Sequence, residues 1–181
     1  MKGMNFLFFM KRAWLCVITV CVLTMGLGGC ARKNTTYAND LSSRRVMNSV
    51  CDAISSDEGY MAMDNGYFTV STWGEDYPVL LENAIDYEVV ISQNFEKNID
   101  EIGIFHIADD VNIGKLTALV ESYVQSQTAR MESLLQAYNP REIPKLKEAK
   151  VVVCGRYIMY TILSGDNTAK AKKAFVRAIG E

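Results

Sequence analysis

The chain has 181 residues, 19 basic and 21 acidic, with a formal charge of −2 and 49% hydrophobic residues, a balance that excludes a disordered chain. All the acids follow residue 29, so residues 30–181 carry sixteen basic against twenty-one acidic side chains, a formal charge of −5. That sign gives no basic footprint for a nucleic acid, and none is expected as a partner.

The first segment is a leader. Lys2, Lys11 and Arg12 precede a continuous apolar run over residues 13–25, which closes on Gly26-Leu27-Gly28-Gly29. This is the three-part pattern of a secretory signal. A spanning helix needs roughly 17–25 apolar residues. Residues 13–29 only just reach that range, and their glycine-rich end favours a cleaved leader. Leu27-Gly28-Gly29-Cys30 resembles the lipobox of bacterial lipoproteins. The resemblance implies cleavage after Gly29 and a diacylglyceryl group in thioether linkage on Cys30. Two acyl chains hold a membrane stably. The expected location is the outer face of the bacterial cytoplasmic membrane, with the membrane as partner through the lipid anchor.

This reading accounts for three of the five cysteines. Cys16 and Cys21 leave with the leader, and Cys30 takes the lipid. Cys51 and Cys154 remain where a disulfide is permitted, but both fall at apolar positions where a free cysteine packs as a small hydrophobe. Their distance is not legible in sequence. There is no CxxC, so neither a thioredoxin-like site nor a zinc site is expected.

Residues 31–40 are polar without a period and read as a tether, reaching at most ~35 Å when extended. Residues 41–181 read as one globular domain. Val46, Val50 and Ile54, with Met47 and Cys51 beside them, describe an amphipathic helix over 41–55, capped by Ser42 or Ser43. Asp57-Glu58-Gly59 ends it. Residues 60–87 are less regular. Asn65-Gly66 followed by Tyr67-Phe68-Thr69-Val70 suggests a hairpin, with a loop and short helix as the other reading. Trp73, Glu75, Asp76 and Tyr77 then either line a groove or form satellite core.

Residues 87–92 and 101–107 read as an antiparallel strand pair. His106, the only histidine, shares a strand face with Ile104 and Ala108 and lacks metal partners. A long helix follows, with a stripe of Leu116, Val120, Tyr123, Gln127, Met131, Leu134 and Tyr138, and with Asp109 and Asp110 placed to cap it. A calcium loop over Asp110, Asn112, Gly114 and Glu121 fails where Lys115 stands in place of the required glycine. No metal site and no cofactor are expected. Asn139 as cap and Pro140 open a short second helix. Residues 151–154 and 157–163 form a hairpin across Gly155-Arg156, a type II′ turn with glycine first. Both strands are apolar on both faces, so they should sit centrally and be covered on at least part of both sides. Asp166 or Asn167 caps a last helix over 168–179, with Lys170, Lys172, Lys173 and Arg177 on its outer face; these are a solvated face or a contact for anionic lipid.

Glu101-Ile102-Gly103-Ile104-Phe105, the helix after Asp109-Asp110, Tyr138-Asn139-Pro140 and Leu146-Lys147-Glu148-Ala149-Lys150-Val151-Val152-Val153, with Gly155 and Tyr157, together resemble a family of bacterial lipoproteins. It is the domain-of-unknown-function family numbered 4358. The resemblance implies the leader and lipobox but no activity, because the family has no catalytic motif to carry over.

The expected fold is α+β: an antiparallel four-stranded sheet of two hairpins, with the long helix and the terminal helices packed on one face. The expected function is a lipid-anchored, non-catalytic module that binds an envelope protein or a small ligand. No catalytic residue is named. The alternative is a cell-envelope hydrolase using carboxylates brought together by folding, such as Glu75, Asp76, Glu82 and Asp86.

Overall fold

In the computed structural model, residues 37–54, 56, 59–63 and 76–180 are described. The leader, Gly29, Cys30, the Asn65-Gly66 turn, Trp73 and Glu75 lie outside them. In chain order the elements are α1 (Ser43–Ala53), β1 (Tyr60–Ala62), α2 (Pro78–Glu82), β2 (Ala84–Ser92), β3 (Glu101–Ile107), α3 (Ile113–Tyr138), a 3-10 turn (Pro140–Glu142), α4 (Ile143–Lys147), β4 (Lys150–Cys154), β5 (Tyr157–Ile162) and α5 (Gly165–Ile179).

The strands form one antiparallel sheet in the order β1-β2-β3-β5-β4, so it has five strands and not the expected four. The two expected hairpins, β2-β3 and β4-β5, are present and join through β3 and β5. The added strand is β1, whose three residues are too few to show a period-2 pattern. All seven residues of β3 are buried, as befits the middle strand.

The helices divide between the two faces, which corrects the expectation of a single covered face. On one side α1 and α5 bring Val46, Val50, Ala171 and Phe175 onto Ile102, Ile104, Tyr157 and Met159. On the other, α3 lays Leu116, Val120, Tyr123 and Val124 on Phe105, Ile107, Ile158 and Tyr160, with Leu80 of α2 alongside. The physical reason is the pattern of β3 and β5. Strands apolar at consecutive positions expose an apolar row on each face, and leaving either row wet costs about 25 cal/mol per Å².

Local chemistry sets the helix ends. Ser42 caps α1 by accepting from the Arg45 amide at 3.3 Å. Asn112, and not Asp109 or Asp110, caps α3, accepting from the amides of Gly114 at 3.0 Å and Lys115 at 3.4 Å. Ser164, and not Asp166 or Asn167, caps α5, so that helix starts three residues earlier than expected. The expected cap Asn139 makes no capping bond; its side-chain amide donates to the Lys97 carbonyl at 2.8 Å and ties the β2-β3 loop to the end of α3. At the β4-β5 turn only Gly155 has positive φ, at 55°, in keeping with the type II′ expectation.

Arg156 in that turn fixes where α3 begins. Its guanidinium donates to the carbonyls of Ile107, Ala108 and Val111, the residues that lead from β3 into the helix. Beside the same turn the Tyr157 hydroxyl donates to the Leu41 carbonyl at 2.6 Å, and the Ala38 amide donates to the Ile179 carbonyl at 2.8 Å. Cys51 and Cys154 are both free thiols.

Candidate functional site

A row of mutual strand partners runs across one sheet face: Met61 opposite Ile91, and Ile91 opposite Glu101. Above this row passes the C-terminal half of α3, presenting Gln127, Arg130, Met131 and Leu134 at i, i+3, i+4 and i+7, one face of a helix. Between them lies a groove of about 590 Å³. The β2-β3 loop supplies its rim through Asn98, Ile99 and Asp100.

The inner end of the groove is a polar cluster built on Glu101, which is only 7% exposed. The hydroxyls of Tyr123, at 2.6 Å, and of Tyr160 both donate to Glu101 Oε1. Gln127 hydrogen-bonds the Tyr123 hydroxyl, and Arg130 donates to Gln127 Oε1 at 2.6 Å. A chain of polar contacts thus leads from an exposed guanidinium to a buried carboxyl. Burial pushes the Glu101 pKa up, and this outweighs the lowering by the two tyrosines and the Arg130 charge. Burial and the neighbouring carboxyl also push both tyrosine hydroxyls well above their ordinary range.

Gly103 makes this cluster sterically possible. A Cβ there would come within 2.0 Å of the Tyr160 ring, because that ring lies flat over its strand partner Gly103. Only with no side chain at 103 does the ring cross β3 and bring its hydroxyl to Glu101, two residues away on the same face. Tyr87, Phe105 and Tyr160 stack as a row that holds the ring in plane, and Tyr123 meets it edge-on at 5.3 Å.

The rim is held by ion pairs. Lys145 Nζ sits 2.7 Å from Glu142 Oε2 and 2.7 Å from Asp100 Oδ1. The Asp100 pair is close by distance but off the hydrogen-bond direction, so Oδ1 has the proximity of a charge without a directed bond. Lys145 also donates to Asn98 Oδ1 at 2.8 Å, and the Ile99 amide donates to Glu142 at 3.0 Å. Burial alone lowers the Lys145 pKa, but the nearby carboxylates of Asp100 and Glu142 win and the net shift is upward. The Tyr60 hydroxyl takes the remaining oxygen of Asp100 at 3.0 Å.

Residues 80–163 match the model of the domain of unknown function DUF4358. This stretch, a little under half of the chain, is similar to that family. It contains Glu101, Gly103, Tyr123, Gln127, Arg130 and Tyr160, whereas Met61 and Met63 of the groove precede it. No curated protein and no solved structure matches the chain.

The residues singled out in the sequence fall elsewhere. Asp76 and Glu82 are exposed, and Asp86 accepts the Ser43 amide at 2.9 Å on the opposite face; none of the three lines the groove. His106 is buried against Tyr157 with ring centroids 4.3 Å apart, and its Nδ1 has no partner among the described residues. Among the described residues no group of three His, Cys, Asp or Glu could hold a metal. A smaller hollow of about 400 Å³ lies beside α1, where Glu88 is already paired with Arg44 at 3.3 Å. Burial, with the charges of Asp52 and Glu88, pushes the Cys51 thiol there up to about 11, the wrong direction for a nucleophile.

Proposed function

We propose that this is a lipid-anchored extracytoplasmic protein whose domain binds a ligand, without catalysis, in the groove between α3 and the β1-β2-β3 rows. The observation that carries the reading is the groove: an apolar concavity of about 590 Å³ with polar groups converging at one end, the usual form of a small-molecule site. The anchor rests on the basic start, apolar run and lipobox that end at Cys30. Among the described residues no helix is long and apolar enough to cross a membrane.

Two experiments test this. Nile red, a neutral apolar dye, should bind the full chain saturably with a blue-shifted emission, and Met131→Trp, which fills the groove, should abolish that binding. Unsaturable binding, or binding indifferent to Met131→Trp, sinks the groove reading. Membrane fractionation of Cys30→Ala should release the protein; a variant as firmly bound and equally processed sinks the anchor.

A further inference from the structure

The two ends of the groove differ in what they offer. Met61, Met63, Ile91, Phe95, Met131 and Leu134 make the long apolar part. Three of these six are methionines, whose unbranched thioethers adapt to a flexible occupant. A space of this size holds about twenty heavy atoms at about 30 Å³ each, enough for one acyl chain and too little for two.

The polar end offers donors. Tyr123 and Tyr160 both spend their hydroxyls on Glu101 Oε1, while Oε2 has no hydrogen-bond partner among the described residues. A proton on this carboxyl therefore belongs on Oε2, the oxygen left for the groove. Burial of the carboxyl favours that protonated form. Arg130 gives one amine to Gln127, and no described carboxylate lies within ion-pair distance of it. Asp100 does not cancel this charge, since Lys145 and Tyr60 already occupy its two oxygens. An O–H and a guanidinium side by side call for an acceptor that carries negative charge.

We infer that the groove binds a single-chain amphiphile with a carboxylate head, such as a long-chain fatty acid, the head on Arg130 and Glu101 Oε2 and the chain along the methionine wall. This rests on the groove reading proposed above and adds the chemical class. Arg130 supplies charge and two-point geometry, and Glu101 supplies a donor without a repelling charge.

Photolabelling of the full chain in membranes tests it, using a sixteen-carbon carboxylic acid with a diazirine near its tail and the methyl ester of the same molecule. The acid should label Met61, Met131 or Leu134, and unlabelled hexadecanoate should compete. The ester should label them roughly tenfold less at equal membrane concentration, as expected for loss of a charge-assisted bond. Arg130→Gln should bring the acid down to the level of the ester, and Arg130→Lys should recover part of the difference. Because Arg130 is exposed, neither variant threatens the fold. Equal labelling by acid and ester leaves the groove a binding site but overturns the carboxylate, as does stronger competition by hexadecylamine than by hexadecanoate. Failure of both probes to label groove residues overturns the groove and the ligand class together.

Discussion

Strand β3 meets a different kind of cover on each of its faces. Ile102, Ile104 and His106 face α1 and α5, two short helices that each settle against the twisted sheet. Glu101, Gly103 and Phe105 face the single 26-residue helix α3. At 1.5 Å per residue that helix is about 39 Å long, against about 23 Å for a seven-residue strand, so it must outrun the sheet. Its N-terminal half packs closely on the sheet, whereas its C-terminal half reaches the sheet through Leu135 on Ile162 and stands off the Met61-Ile91-Glu101 row. The groove is the space between that row and the helix. One face of the same strand is spent on stability and the other partly on a concavity, and substitutions should separate the two.

The largest effect belongs on the α1/α5 face. Ile104→Ala should cost about 2–5 kcal/mol in denaturant unfolding, since the side chain is fully buried and its neighbours cannot collapse around the hole. Gly103→Ala, on the α3 face, should cost about 1–3 kcal/mol by pushing the Tyr160 ring off β3. In a Tyr160→Ala background the same change should cost far less, and additive costs in that double-mutant cycle would refute the steric account.

Glu101 gives the comparison a pH dependence. Its raised pKa means the folded chain holds a proton that the unfolded chain releases near 4.5. The stability from this group is fully present below that pH and is lost as pH rises through the folded pKa, with a slope of at most about 1.4 kcal/mol per pH unit for one proton. Glu101→Gln should flatten that decline, read from denaturation midpoints between about pH 4 and 8; an unchanged slope would mean that Glu101 is ionised in the fold. Smaller still, Asn112→Ala should cost about 1 kcal/mol through the lost cap on α3. Leu134→Ala, at the groove mouth and 55% exposed, should stay within about 0.5 kcal/mol while weakening dye binding.

Much of this architecture is legible in the residues. The strand over Glu101–Ile107 and the helix through Tyr138 follow from long unambiguous patterns, and Gly155-Arg156 marks its turn. The two-sided apolar pattern of residues 157–163 already demands cover on both faces; assigning every helix to one face contradicts it, and the structure resolves the conflict by sending α1 and α5 to the other side. The caps are misread because several candidates stand together, and only backbone geometry decides between Asn112 and the acids before it. The site is the least legible part. Glu101, Tyr123, Arg130 and Tyr160 are up to 59 positions apart, and their meeting depends on register. Two local signals do point there: an acid opening a fully buried, mostly apolar strand, and Gln127 interrupting an apolar stripe. Both have a use only once Tyr160 is known to lie across Gly103.

The bonds from Ala38 to Ile179 and from Tyr157 to Leu41 also have a mechanical meaning. Any pull on the chain ahead of Tyr37 arrives first at the last turn of α5 and then, three residues later, at the start of β5. The force path enters on the α1/α5 side and reaches β5 without crossing α3. A domain tugged from its N-terminal end would thus yield at its final helix before the groove felt any load.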